Sequence, residues 1–303
     1  MSTQPQITEN NEQSGILSKA VCLNLELHKP GNSKKVRNSE AQLDVDERPD
    51  NSMYRVSKSL LDSREYKQIT RHDNETRLWL YSRALPGPFR AGTYLIPHDL
   101  VLAVDAHLRV AQQKRETLIA EFIAAYPTLK AEASDKLGSL FNEADYQAVE
   151  HLETEFGMRW SYFTFGTPDK LRGISAELFA REQEKAAATW KEATEEVRQA
   201  LRAGFGQLVE HMVDRLSGDG KVFRNTLVEN FAEFMETFEA RNITNDEELQ
   251  KLVKQSRELL KGITPDELRK QEALKSTIAN GMAQINGKLD TMIINRPKRK
   301  LEV

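Results

Sequence analysis

Apolar residues recur along this chain with two different periods. Val21, Leu23, Leu25 and Leu27 alternate with Cys22, Asn24 and Glu26, the period-two pattern of a half-buried strand. Residues 1–15 before it are polar, a composition expected to stay disordered. From Pro30 to Asn51 the chain is rich in Asn, Ser, Lys and Asp and reads as a long loop, with Gln42–Val45 as a strand-like island that could pair back on the first strand. A helix is predicted over 57–84, with Leu60, Leu61, Ile69, Leu78 and Leu80 on its apolar side. Pro86, Gly87, Pro88 and Gly92 interrupt it, and Thr93–Pro97 follows as an extended piece. A long helix then starts near His98, where Val101, Val104, Leu108, Ala111, Leu118 and Phe122 fall on one stripe. It is expected to stop before Pro127. Helices around 131–141 and 142–156 follow, the second capped by Asn142. Trp160–Phe165 is aromatic and β-branched and is predicted to pair with Tyr94–Ile96.

The second half is helical throughout. Thr167-Pro168-Asp169 combines a hydroxyl cap, a first-turn Pro and an acid at the positive end of the helix dipole. Nothing stops that helix before Ser217-Gly218-Asp219-Gly220, a run of ~50 residues reaching roughly 75 Å. Its far end carries Val197, Leu201, Phe205, Leu208, Met212 and Leu216 at steps of three and four. Its middle, Arg181 to Ala188, has almost no apolar stripe and should be exposed or covered by a partner. Phe223, Leu227, Phe231, Phe234 and Phe238 mark the next helix. A third begins at Asn245 with Glu248 in capping-box spacing and is closed by Gly262. Thr264-Pro265-Asp266-Glu267 is a stronger capping box opening a last helix with Leu274, Ile278, Met282, Ile285, Leu289 and Met292 inward. Leu201, Phe205, Leu208 and Met212 are expected to pack against Phe231, Phe234 and Phe238, as core or partner interface.

The pattern predicts a mainly α protein with a small β element. A mixed α/β head would span 16–165. An elongated stalk of antiparallel, coiled-coil-like helical hairpins would span 166–295, between a polar tail (1–15) and a basic one (296–303). Composition agrees: of 303 residues, 39% are hydrophobic and 29% charged, which suits long solvated helices better than one large core. A net charge of −3 argues against a strongly cationic nucleic-acid binder but leaves a local basic patch open. The lone Cys22 rules out an intramolecular disulfide framework and a multi-cysteine zinc site, pointing to a reducing cytoplasm. No segment reaches the ~18 uninterrupted apolar residues of a membrane span, and no signal peptide is legible.

Candidate chemistry is sparse. None of the six histidines is followed by Glu, and none has Glu three residues before it, so the zinc-protease and di-iron helix motifs are missing. His98, Asp99, Asp105 and His107, or Glu150, His151 and Glu155, could supply ligands or an acid/base pair, although solvated helix faces explain them as well. Ser217-Gly218-Asp219-Gly220-Lys221 lacks both the upstream Gly and the following Ser or Thr of a phosphate loop, and it reads as a helix–helix turn. Gly204-Phe205-Gly206 lies inside a helical stripe, where two helices can approach closely. Cys22 falls on the polar phase of its strand with no basic neighbour to activate it. Arg296, Lys298, Arg299 and Lys300 form a basic tail that could contact phosphates, an acidic groove or a membrane surface, or simply be solvated.

Several landmarks carry a resemblance. They are Arg83-Ala84-Leu85-Pro86, Gly92 to Pro97, Phe141-Asn142 with Asp145-Tyr146, and Phe156 with Trp160. Gly220 to Arg224, Asn230 with Phe234, and Arg241-Asn242-Ile243 with Asp246 and Leu249 complete the set. Over roughly 55–290 the chain resembles an uncharacterised bacterial and phage family, the domain of unknown function 3150. That resemblance implies no particular chemistry. It implies company, since such genes often neighbour those of MoxR-like AAA ATPases and von Willebrand-A proteins. The expectation is a non-enzymatic structural or adaptor protein without a cofactor, self-associating or docking partners through long helices. A nucleic-acid binder using the basic tail and a metal-dependent enzyme assembled from scattered His, Asp and Glu remain open.

Overall fold

A computed structural model of the chain describes residues 19–36, 55–87, 92–217 and 225–293. Its described residues are mainly helical with a small antiparallel sheet. Contacts divide the chain into two compact units. The first takes the described residues among 1–24, 78–105 and 161–303; the second takes those among 25–77 and 106–160. The first unit is thus gathered from three separate stretches, rather than being bounded near residue 165 as composition suggests.

Strand β1 (Ala20–His28) is followed by β2 (Ser33–Val36), β3 (Val56–Ser59), α1 (Arg64–Tyr81), β4 (Leu85–Pro86) and β5 (Thr93–Pro97). Next come α2 (His98–Leu137), a short α3 (Val149–Leu152) and β6 (Gly157–Phe163). The main sheet has the order β4-β5-β1-β6, and β2 pairs with β3 in a separate antiparallel ladder. β1 runs antiparallel to β5, with Cys22 opposite Leu95 and Leu23 opposite Tyr94. The strand expected over 160–165 forms as β6 over Gly157–Phe163, but β1 stands between it and β5 instead of letting the two pair. Adjacent Cys22 and Leu23, which point to opposite faces, are both buried, so the alternation read for β1 fails at its middle.

In the second unit the helix predicted from residue 57 begins at Arg64. Ser57, Lys58 and Ser59 are committed to the ladder with β2, and Ser63 accepts a hydrogen bond from the Tyr66 N–H through its Oγ at 3.0 Å. Leu60 and Leu61 are buried ahead of the helix, where Asn32 bonds both the N–H and the C=O of Leu61. α2 does not stop before Pro127 but runs through it to Leu137. An interior Pro costs about 3 kcal/mol, and buried Phe122, Tyr126 and Ala133 on either side hold the helix against that cost. The helix expected over 142–156 is instead a series of single turns. Asn142 caps one by accepting from the Ala144 N–H, and extended Tyr146 ends it, stacking on Phe141 at 4.9 Å and donating through its OH to Leu60 O.

In the first unit the ~50-residue helix is broken near its start. α4 (Lys170–Ile174) ends at Ser175, and α5 (Ala176–Ser217) begins where Ser175 Oγ accepts from the Leu178 N–H. Gly173 weakens the chain for helix, and Ser175 supplies the new cap. After α5 come α6 (Asn225–Arg241), α7 (Glu247–Leu260), α8 (Pro265–Lys270) and α9 (Glu272–Met292). α9 packs along α5 and α7, and α6 packs against α5. Leu201, Phe205, Leu208 and Met212 share one core with Phe231, Phe234 and Phe238. Phe205 lies 5.7 Å from Phe231 and 5.3 Å from Phe234 between ring centroids. Each such ring contributes about 1.5–3 kcal/mol through burial. Gly206 is where α5 meets the chain leaving α9: a Cβ there would touch Ile293 at 3.5 Å.

The cap of α7 is Asp246, not Asn245, whose φ of 53° is incompatible with the extended backbone of an N-cap. Thr264 and Glu267 form the expected reciprocal box, but the helix they open closes after Lys270. In a continuous helix Leu268 would point roughly 100° away from the Leu274–Ile278 stripe. The break at Gln271 re-aims it, and Leu268 and Ile278 are both buried in the same core. Lys19, just ahead of β1, donates through Nζ to Ile243 O at 3.3 Å and to Asn245 Oδ1 at 3.0 Å.

Candidate functional site

Both units bury arginine, with opposite outcomes. In the second, Arg115 from α2 is 2% exposed and meets Asp73 from α1, its Nε donating to Oδ1 at 2.7 Å and its Nη2 to Oδ2 at 3.4 Å. Nη2 also donates to His28 O at 2.7 Å, and no buried polar atom of Arg115 lacks a partner. The charge is closed off. The cleft beside it, about 710 Å³, has a mixed lining, with Ile119, Ile123, Phe156 and Met158 beside Glu116 and Arg159. In the first unit Arg202 is paired in the same way. Its Nε donates to Asp246 Oδ2 at 2.6 Å and its Nη1 to Met292 O at 2.9 Å.

Arg241 is different. It is the last residue of α6, 1% exposed, and its Nε and Nη1 have no hydrogen-bond partner among the described residues. Its guanidinium lies over the Phe234 ring at 4.6 Å. Burial lowers its pKa to about 10; the Glu233 carboxylate partly opposes that shift and the Arg83 charge adds to it. It therefore stays protonated at neutral pH.

Arg241 lines a cleft of about 310 Å³ with Leu78, Trp79 and Ser82 from the end of α1 and Asn230, Glu233 and Phe234 from α6. Helical spacing explains the gathering: Asn230, Glu233, Phe234 and Arg241 recur at steps of three, one and seven, which keeps them on one face. At the rim, Glu233 Oε1 accepts from Arg83 Nη1 at 2.5 Å and from Ser82 Oγ at 3.1 Å, while the Arg83 guanidinium stacks 4.1 Å from the Trp79 ring. The carboxylate's hydrogen bonds are thus taken by Arg83 and Ser82, and none goes to Arg241.

None of these residues is expected from sequence to carry chemistry. The available signal is that Arg241 continues the apolar phase of Phe231, Phe234 and Phe238, placing a charge where a core residue belongs. Arg83, Asn230, Phe234 and Arg241 also lie among the landmarks that carry the family resemblance.

The other candidates are dispersed. Among the described residues no group of three or more His, Cys, Asp or Glu side chains is placed to hold a metal ion, and Glu150, His151 and Glu155 are all exposed. Arg296, Lys298, Arg299 and Lys300 lie outside the described residues, as do Gly218 to Lys221 and the island at 42–45. Cys22 is buried, and burial raises its thiol pKa to about 11. A thiol-specific alkylating agent at pH 8 should therefore leave the native protein unmodified and label it on unfolding; prompt native labelling would show that β1 opens readily.

Comparison with protein-family models, with curated proteins and with solved structures finds no match. Among the described residues no helix is long and apolar enough to cross a membrane.

Proposed function

We propose that the protein is a non-enzymatic helical adaptor, self-associating or docking protein partners through its long helices. The observation that carries this reading is the division of labour along α5. From Val197 to Leu216 its apolar ridge is spent on the core with α6, α7 and α9, whereas from Arg181 to Ala188 only Glu182 and Ala186 are not exposed. A helix that is exposed nearly all round over two turns, with charged residues among small alanines, offers a surface to a partner rather than a pocket to a substrate. The family resemblance supplies the candidate partners, a MoxR-like AAA ATPase and a von Willebrand-A protein. Binding of nucleic acid by the basic tail, and a metal-dependent activity, are the competing proposals.

The test is mass-resolved light scattering of the full chain, alone and mixed with the ATPase and the von Willebrand-A protein encoded nearest to it, with and without ATP. An oligomer, or nucleotide-dependent co-elution, supports the adaptor role. A monomer that joins neither partner argues against it. Salt-sensitive nucleic-acid binding lost on deletion of 296–303 would favour the first competitor.

A further inference from the structure

We propose that the cleft between the end of α1 and α6 is a carboxylate-binding site. It takes a small acid with an apolar body, the acid group meeting Arg241 and the body lying against Leu78, Trp79 and Phe234. The inference does not depend on the adaptor role.

The starting point is an unpaid requirement. A buried guanidinium is ordinarily closed by a carboxylate and carbonyls, as Arg115 and Arg202 are here. Arg241 is as deeply buried, faces the cleft, and leaves Nε and Nη1 unbonded. An acceptor entering the cleft would supply what the chain does not. Charge decides its valence: Arg83 and Arg241 against Glu233 leave one net positive charge, which a monoanion neutralises and a phosphate dianion would overshoot. A carboxylate oxygen accepting from either open nitrogen would make a charge-assisted hydrogen bond. The apolar walls select the remainder of the ligand, and about 310 Å³ is the lower end of the range for small-molecule sites. The Asn230 amide and Ser82 hydroxyl add polar groups at the cleft. The same carboxylate chemistry could come from a free acid or from the carboxyl terminus of a peptide.

The experiment is calorimetric titration of the full chain with phenylacetate, phenylacetamide, inorganic phosphate, and a short peptide ending in Phe as free acid and as amide. Phenylacetate should bind at least about tenfold more tightly than its amide or phosphate. Peptide acid binding more tightly than phenylacetate assigns the source to a protein terminus; weaker binding assigns it to a free acid. Arg241→Gln should lose the acid-over-amide preference. Should that variant fail to fold, Glu233→Gln at the rim decides: it raises the net charge of the cleft by one and should shift preference toward phosphate by about tenfold. Equal binding of phenylacetate and phenylacetamide would overturn the proposal. So would tighter binding of phosphate by the unaltered protein, an undiminished acid preference in a folded Arg241→Gln, or no shift in Glu233→Gln.

Discussion

Replacing Asp246 with alanine should lower the stability of the first unit by about 4 kcal/mol, measured by urea unfolding at neutral pH. One side chain there serves two elements at once. Oδ1 accepts from the Leu249 N–H and caps α7, while Oδ2 accepts from Arg202 of α5, whose Nη1 reaches on to Met292 at the end of α9. The Asp246 N–H in turn donates to Asn242 Oδ1 at 2.8 Å. Alanine removes the cap and leaves the Arg202 guanidinium, 12% exposed, without its close carboxylate. Asp246→Asn retains a capping oxygen but not the charge, and should cost about half as much.

The acid response of that pair follows from the direction of its shift. Burial raises the Asp246 pKa, but the Arg202 hydrogen bond, the Leu249 N–H and the Arg202 charge outweigh it and hold the carboxyl below its usual range. A depressed folded pKa contributes stability that is complete above the unfolded value of about 3.9 and is lost as pH falls through the folded one. The stability gap between the wild-type protein and Asp246→Asn should therefore narrow as pH drops below about 4. A gap unchanged into strong acid would mean that the charge of Asp246 is not what α5 and α7 share.

The second large effect lies at Arg115. Arg115→Ala should destabilise the second unit by about 3–5 kcal/mol, because Asp73, 2% exposed, is left as a buried carboxylate without its hydrogen-bonded cation and His28 O loses its donor. The penalty belongs to the orphaned acid more than to the lost pair. The double variant Arg115→Met, Asp73→Leu should accordingly unfold at higher urea than Arg115→Ala alone. If it is equally unstable, the bond to His28 O, rather than the ion pair, dominates.

The helices of the carboxyl-terminal half were legible because each buries one stripe and keeps the rest polar, so period and caps speak together. Legibility ended where tertiary packing overrode a local signal. Pro127 is a helix breaker by itself, and only the burial of Phe122, Tyr126 and Ala133 around it explains why α2 continues. Gln271 carries no breaking signal; the need to turn Leu268 inward shows only in three dimensions. Alternation puts Cys22 on a polar phase, but Cys22 and Leu23 are both buried, and strict alternation cannot signal a strand buried on both faces. The cleft was hidden for a related reason. Arg241 sits in an apolar register, and no sequence pattern states that Trp79, more than a hundred and fifty positions away, lies at the same cleft.

The three-stretch assembly of the first unit has a consequence for biogenesis. As the chain leaves the ribosome, β1 and β5 emerge long before the helices whose side chains complete their core, and the bond from Lys19 to Ile243 closes a loop of more than two hundred residues. Until α5, which packs on β4, has been synthesised, that early sheet lacks the helix its core residues share. Translation pauses or truncations upstream of α5 should therefore yield nascent chains that recruit holdase chaperones, whereas release of the full-length chain lets the sheet dock.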